Sequence, residues 1–116
     1  MTLITHAYAR TADGELRTLD AAPPRNDLAG PESWRVKVYG SAAARALGLT
    51  LLPTLATYDI HAEDEDLDVL EREVQVLLGN TVRWPEIGLD QLRFRLLNIL
   101  EAVRLARAEG GGVYLG

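Results

Sequence analysis

Two segments in the second half of the chain carry apolar residues at the spacing of amphipathic helices. Between residues 64 and 78 these residues recur every three or four positions, at Leu67, Leu70, Val74 and Leu77. Along the segment 90–109 and the residue before it, the same spacing continues over a longer run, at Leu89, Leu92, Leu96, Ile99, Val103 and Ala106. The pattern predicts two long helices, the first ending at Gly79 and the second at the glycines 110–112.

The second of these helices has apolar residues outside its main stripe. On a helical wheel, Phe94 and Leu105 lie about 140–160° from Leu89. This second strip is covered either by another part of the domain or by a second chain. Burial within one chain is the preferred interpretation. A homodimer closed through Phe94, Leu105 or the terminal segment Val113–Leu115 is the alternative.

The start of the chain predicts a β-hairpin. Two extended runs flank Asp13-Gly14, a dipeptide that favours tight turns between strands. A two-residue turn would place Arg10 opposite Arg17, and like charges that face each other across two strands are unfavourable. A three-residue loop, Ala12-Asp13-Gly14, removes this repulsion when Gly14 is left-handed. The three-residue loop is therefore the predicted turn.

Three further segments have the pattern of β-strands. Trp34, Val36 and Val38 alternate with polar residues, which predicts a strand with one buried face. Residues 54–60 show a similar alternation. The apolar run Val113–Leu115 predicts a final strand that docks on the sheet after a tight reversal at the preceding glycines.

A loop and a short helix are predicted between these elements. Residues 20–33 contain three of the five prolines and are therefore predicted as a loop. Loops of this length are often functional. Ser41 suits the N-cap of a short helix because its hydroxyl can accept a free backbone N–H, and Gly48 suits the end of that helix.

Together the elements predict a two-layer α+β fold. A mainly antiparallel sheet of four to five short strands packs against two long helices, and one short helix is added. A length of 116 residues with 47% hydrophobic residues is sufficient for a single domain over residues 1–116. A predominantly helical protein with a peripheral hairpin is the alternative.

The composition excludes several classes of protein. Without cysteine, the chain forms neither disulfides nor cysteine-based zinc or iron–sulfur sites. It has no run of about 18 apolar residues and no signal-peptide pattern, so we expect a cytoplasmic protein without membrane association. The basic residues are all arginine apart from Lys37, a bias that indicates a GC-rich bacterial coding sequence.

The net charge of −5 is unevenly distributed. The segment from Asp59 to Glu73 holds eight acidic residues and one basic residue, so it carries −7 while the rest of the chain carries +2. An acidic surface of this kind attracts basic proteins and accelerates their association. Four of the acids lie at the start of the predicted helix over 64–78, where the helix dipole favours negative charge: Asp64, Glu65, Asp66 and Asp68.

Few residues have a catalytic or metal-binding pattern. Neither His6 nor His61 lies in a motif of nucleophilic catalysis, so no catalytic residue is predicted. His61 lies between Asp59 and Glu63, but the chain has too few nitrogen ligands for a zinc site, and neither a metal nor a cofactor is predicted. Ser41 follows a glycine at a helix start, a junction that can bind an anion; an ordinary helix cap is preferred because phosphate-binding motifs are absent.

Nucleic-acid binding is disfavoured. The arginines of the last predicted helix do not form one basic stripe with interleaved aromatic residues. We expect them to pair with the acids of the preceding helix or with Glu101. They are Arg93, Arg95, Arg104 and Arg107.

The preferred functional hypothesis is a non-catalytic module that binds a basic protein, for example as an inhibitor or immunity protein. Trp84 is a further candidate contact because tryptophan is common at interface hot spots, although at a connection between helices it more often fills the end of a core. The expected contacts at the start of the helix are Asp64, Glu65, Asp66 and Asp68.

The alternative is a small enzyme or a ligand-binding module. Its cleft would lie between the sheet and the loop at 20–33, where polar side chains converge on the ligand. The candidate ligand-binding residues are Ser41, Asp59 and His61, with Arg35 as a further one.

Overall fold

One five-stranded antiparallel sheet and three α-helices form the protein, which the computed structural model describes over residues 1–116. The strands are β1 (Thr2–Arg10), β2 (Leu16–Leu19), β3 (Leu28–Pro31), β4 (Ile60–Glu63) and β5 (Gly112–Leu115). The helices are α1 (Ala42–Ala46), α2 (Glu65–Leu78) and α3 (Leu89–Ala108). A π-helical turn (Arg35–Tyr39) and two 3₁₀ turns (Leu52–Ala56 and Thr81–Arg83) complete the chain. The predicted α+β class is confirmed.

Strand β1 organises the sheet. The order is β2-β1-β5-β4, and β3 pairs with the first residues of β1 on the same side as β2. The last strand of the chain, β5, therefore lies between β1 and β4, with Ala7 opposite Val113 and Ala62 opposite Val113 on its other side. The docked final strand predicted from Val113–Leu115 is confirmed, and both of its edges are paired within the sheet.

The hairpin between β1 and β2 has the predicted three-residue loop. The Thr11 N–H donates to the Glu15 carbonyl at 2.8 Å, and Gly14 adopts a φ of +86°. Arg10 faces Leu16 in this register, and Arg17 faces Ala9. The two arginines are thus not opposite one another, as the charge argument requires.

Both long helices are confirmed, and so is the short one. In α1, the Ser41 hydroxyl accepts the Ala44 N–H at 3.1 Å, and Gly48 follows with a φ of +86°. No helix combines the length and the apolar composition needed to cross a membrane. The predicted stripes of the long helices are buried at Leu67, Leu70, Val74 and Leu77 in α2 and at Leu92, Leu96, Ile99, Val103 and Ala106 in α3. Leu89, the first residue of the stripe predicted for α3, is instead 55% exposed.

The predicted strand at Trp34–Val38 is wrong, because the segment forms the π-helical turn. Trp34 and Val38 are buried together with Tyr39, whereas Val36 is 63% exposed. An alternation over three positions also contains an i, i+4 pair, which one helical turn places on a single face. The Tyr39 hydroxyl then donates to the Ala29 carbonyl at 2.7 Å, a distant contact that stabilises the turn.

The predicted strand at 54–60 is also wrong over most of its length. Residues Leu52–Ala56 form a 3₁₀ turn, and β4 begins only at Ile60. The cause is Glu73 of α2, a buried carboxylate that accepts the N–H groups of the residues leading into the turn. These are the backbone N–H groups of Thr50 at 2.8 Å, Leu51 at 3.1 Å and Leu52 at 2.8 Å.

The segment 20–33, predicted as a loop throughout, contains the short strand β3. Gly30 in this strand faces Leu3 and has a φ of +117°, a conformation that favours glycine. The Trp34 ring covers the glycine so closely that an added Cβ would lie 2.3 Å from Cε3 of the ring. The absence of a side chain at Gly30 therefore allows Trp34 to close the core at this end.

Replacing Gly30 with alanine is expected to lower the free energy of unfolding by about 3 kcal/mol or more, because backbone strain and steric overlap with Trp34 add together. Gly48→Ala is the matched control. It has the same sign of φ but no atom within 4 Å of the added Cβ, so its cost should be about 1–2 kcal/mol. Urea unfolding measures both, and equal losses would contradict the role of the Trp34 contact.

Candidate ligand-binding cavity

A cavity of about 230 Å³ lies between β1, the segment that follows β2, and α3. It occupies the place where a cleft between the sheet and the 20–33 loop was predicted, but none of the predicted ligand-binding residues lines it. The lining residues are Thr5, His6 and Ala7 of β1, Leu19 to Ala21, Asn26 and Asp27, and Asn98, Ala102 and Leu105 of α3.

Thr5 is the polar residue at the sheet side of the cavity. The alternation of β1 places it on the same face as Leu3 and Ala7, toward the helices. Its residue exposure is only 3%, and its hydroxyl has no hydrogen-bond partner. A buried hydroxyl without a partner costs roughly 1–3 kcal/mol, so a ligand group that bonds to this oxygen would recover that energy. Arg95 Nη1 is the other buried side-chain atom of this kind, and Arg95 does not line the cavity.

Asn98 holds the opposite wall of the cavity in place. It is completely buried, and its Oδ1 accepts the Asn26 N–H at 3.1 Å. Its Nδ2 donates to Asn26 Oδ1 at 2.8 Å and to the Leu28 carbonyl at 2.9 Å. These bonds fasten the segment before β3 to α3, so the wall is built before any ligand binds.

The second apolar strip of α3 contacts the same segment. Phe94 is half-buried, and the Arg25 guanidinium lies 4.8 Å from the centre of its ring. Leu105 is half-buried and lines the cavity. The strip is thus covered largely within the chain, which was the preferred interpretation.

The rim of the cavity carries a histidine–carboxylate pair. His6 Nε2 lies 2.8 Å from Asp27 Oδ2, and both side chains are partly exposed. Asp20 is a second acidic residue of the lining. The rim can therefore accept hydrogen bonds from a ligand and can interact with a charged group on that ligand.

Asp59, His61 and Arg35 lie elsewhere, by the sheet surface that faces away from the helices. Arg35 Nη2 donates to Asp59 Oδ1 at 2.6 Å, and the Tyr114 hydroxyl donates to Asp59 Oδ2 at 2.8 Å. The hydrogen bond from Arg35 and then that from Tyr114 lower the pKa of Asp59. His61 is exposed and contacts the Tyr114 ring edge-on, with centroids 5.0 Å apart. The structure brings these residues together on an open surface that adjoins no cavity.

Ser41 and Glu63 are likewise used in structural contacts. Besides capping α1, the Ser41 hydroxyl donates to the Val38 carbonyl at 2.8 Å. Glu63 Oε2 accepts the Tyr8 hydroxyl at 2.6 Å and Arg10 Nη2 at 2.9 Å. Burial, followed by the bond to Glu63, raises the pKa of Tyr8 to about 12, while the bond from Tyr8 lowers the pKa of Glu63.

Most carboxylates of the acidic segment have a partner within the chain. Arg107 of α3 contacts Glu71 at 2.6 Å and also Asp68, and Arg104 contacts Glu101 at 2.6 Å, as expected. The other two arginines of this helix, Arg93 and Arg95, form no ion pair, so the expected pairing is confirmed for two of the four. The acids with partners are Asp59, Glu63, Asp68, Glu71 and Glu73. The acids that are exposed without an ion pair are Asp64, Glu65 and Asp66. The acids of the segment that keep no partner are thus three adjacent carboxylates at the start of α2.

Trp84 lies at the other end of α2, which is about 20 Å long at 1.5 Å per residue. The residue is 3% exposed, and its indole Nε1 donates to the Lys37 carbonyl at 2.7 Å. It fills the end of the core and offers little surface to a partner. The residues predicted to bind a partner are therefore not brought together.

Sequence reasoning missed Thr5 and Asn98. Asn98 lies four residues after Phe94 on the second apolar strip of α3, and a polar residue within an apolar strip is the signal that could have identified it. Thr5 follows the inward alternation of Leu3 and Ala7 in β1, but a threonine in a strand is too common to indicate a site.

Asn98→Asp is expected to lower the free energy of unfolding by about 3 kcal/mol, because an oxygen then faces the two oxygens to which the amide donates. Hydrogen exchange of residues 20–28 should accelerate more than that of α2. The control is Asn80→Asp, since Asn80 donates to one carbonyl only, that of Val76. This control should lower the free energy of unfolding by about 1 kcal/mol. Equal losses, or unchanged exchange at 20–28, would show that Asn98 does not hold the wall.

Comparison of the chain with protein-family models, with curated proteins and with solved structures finds no match. The geometry of the cavity and the charges on the surface are the observations from which a function can be proposed.

Proposed function

We propose that the protein is a binding module for a small polar molecule, which it holds in the cavity between β1, the 19–27 segment and α3. The single observation that carries this proposal is that Thr5, whose buried hydroxyl has no hydrogen-bond partner, lines a concave cavity. Buried polar groups are nearly always hydrogen-bonded in folded proteins, so an exception beside a cavity needs an explanation, and a bound ligand is one.

The size of the cavity restricts the ligand to a small metabolite. A volume of 230 Å³ corresponds to about seven water molecules at ~30 Å³ each. Five of the eleven lining residues are apolar and six are polar, so the wall is more polar than that of a usual small-molecule site and suits a polar ligand. The apolar lining residues are Ala7, Leu19, Ala21, Ala102 and Leu105.

The walls of the cavity are held before binding. On one side Thr5 belongs to the central strand β1, and its N–H donates to the Asp27 carbonyl at 2.8 Å. On the other side Asn98 binds Asn26 and Leu28. A site that needs no rearrangement loses less entropy on binding, so a small ligand can be retained with few contacts.

Two variants test the cavity as a binding site. Ala102→Leu should fill it and abolish binding, and Thr5→Val should weaken binding about threefold to tenfold by removing one hydrogen bond. Because valine also removes an unpaired buried hydroxyl, Thr5→Val should leave the stability of the free protein unchanged or raise it. A library of compounds the size of small metabolites, screened by two-dimensional NMR on ¹⁵N-labelled protein, identifies the ligands.

Ala108→Leu and Thr18→Val are the matched controls, since both residues are exposed and lie outside the cavity. Ligands should shift the amide resonances of Thr5 and Ala21 equally in the wild type and in these controls. The proposal is wrong if no compound shifts these resonances, or if the shifts persist in Ala102→Leu.

Recognition of a basic protein through the start of α2 is the second candidate function. It is favoured by one observation, the exposure of Asp64, Glu65 and Asp66 without an ion pair in the chain. Asp68 is shared with Arg107 and contributes less. Three adjacent carboxylates at a helix start retain enough charge to attract a cationic partner at low ionic strength.

The triple variant Asp64→Asn, Glu65→Gln and Asp66→Asn should lose any basic protein that the wild type captures from a cell lysate at low salt. The control triple Glu15→Gln, Glu86→Gln and Asp90→Asn changes the net charge equally at exposed positions without ion pairs, and it should retain that partner. Capture that resists high salt, or that both triples lose equally, would exclude this candidate.

A further inference from the structure

The charges around the cavity have one predominant sign. Its lining includes the carboxylates of Asp20 and Asp27 and no lysine or arginine. His6 is the one lining residue that can become positive, and it is already paired with Asp27. A ligand in the cavity is therefore surrounded by negative charge. Some of that negative charge remains when His6 is protonated, because the lining has two carboxylates and one histidine.

The arginines nearest in sequence are directed to other partners. Arg25 donates to the Phe94 carbonyl at 3.3 Å and lies over the Phe94 ring. Arg17 pairs with Glu109 at 3.6 Å. Neither residue lines the cavity, so neither neutralises its carboxylates.

Several oxygens of the lining remain free to accept hydrogen bonds. Asp27 uses Oδ2 toward His6 and leaves Oδ1 without a bond, and the Asp20 carboxylate has no partner in the chain. The Thr5 hydroxyl is buried and equally unpaired. The Asn98 amide, in contrast, donates both of its N–H groups, one to Asn26 Oδ1 and one to the Leu28 carbonyl. The free groups at the cavity are thus mainly acceptors, and the free side-chain donors are the Thr5 hydroxyl and Asn26 Nδ2.

We propose that the cavity selects a small organic cation, an ammonium compound with a short apolar part. This inference rests on the proposed binding function and adds the class of ligand. An ammonium group donates hydrogen bonds to the Asp20 and Asp27 carboxylates and to the Thr5 oxygen, and the apolar part packs against Ala21 and Leu105. A bare metal ion is a poorer fit, since the protein brings no three histidine or carboxylate ligands together at a point.

The test compares three compounds of nearly equal size on the full chain: n-butylammonium, 1-butanol and butyrate. Each is titrated into ¹⁵N-labelled protein near neutral pH while the amide resonances of Thr5, Ala21 and Ala102 are followed. Butylammonium should bind at least about fivefold more tightly than butanol, because charged hydrogen bonds are stronger than neutral ones. Butyrate should not bind.

The double variant Asp20→Asn and Asp27→Asn should remove the preference for the cation. Its control is Glu86→Gln with Asp90→Asn, which changes the net charge equally at two exposed positions outside the cavity. The control should bind butylammonium like the wild type. Loss of binding in the control to the same degree would show that only the overall charge matters and would overturn the inference.

The outcomes separate this inference from the proposed function. Equal binding of butanol or butyrate in the cavity refutes the cation and supports a binding site of another specificity. If none of the three compounds binds but a library compound does, the cation is again refuted and the cavity function stands. If butylammonium still shifts the amide resonances in the Ala102→Leu variant, the cation binds elsewhere and the inference is wrong. If no compound binds at all, both proposals are wrong.

Discussion

The hydrogen bonds of Asn98 are the interaction on which the cavity depends. The segment between β2 and β3 lies against α3 with its backbone polar groups turned toward a buried surface, where an unpaired N–H or carbonyl is costly. One side chain satisfies two of these groups, the Asn26 N–H and the Leu28 carbonyl, and it also bonds to Asn26 Oδ1. Without it these groups would lose their partners, and the segment that covers the second apolar strip of α3 and forms the outer wall of the cavity would be held less firmly.

The sheet supplies the second constraint, since β1 pairs with β2, β3 and β5. Its inner face is set by the alternation Leu3, Thr5, Ala7, and the middle residue of the three is the only polar one. A polar residue here is unfavourable for stability, because valine would fill the same space without an unpaired hydroxyl. The protein thus places a costly group at the point where two well-held walls meet, which is the kind of local conflict expected at a functional position.

The parts of the fold that the sequence predicted are those determined by neighbouring residues. The helices α2 and α3 follow from their apolar spacing, and the hairpin loop follows from the charges of Arg10 and Arg17. The two wrong strands depend instead on distant partners: Tyr39 bonds to Ala29, and Glu73 binds the backbone before the 3₁₀ turn. The same reason explains the site. A cleft beside the 20–33 loop could be predicted from the prolines, whereas its lining by Thr5 and Asn98 results from contacts between segments far apart in the chain.

The charges of the protein also look different in the sequence and in the folded structure. The acidic segment is the most conspicuous feature of the sequence, yet arginines from β1, from the π-helical turn and from α3 pair with four of its carboxylates, and a fifth, Glu73, is buried. The carboxylates at the cavity, Asp20 and Asp27, lie outside that segment, in a stretch that also contains prolines and an arginine. A search for runs of like charge therefore does not detect them. Electrostatic interactions decrease with distance in space and are screened by partners. Of the two carboxylates at the cavity, Asp27 is paired with His6, whereas Asp20 has no partner after folding and lines the same cavity as a hydroxyl that also lacks one.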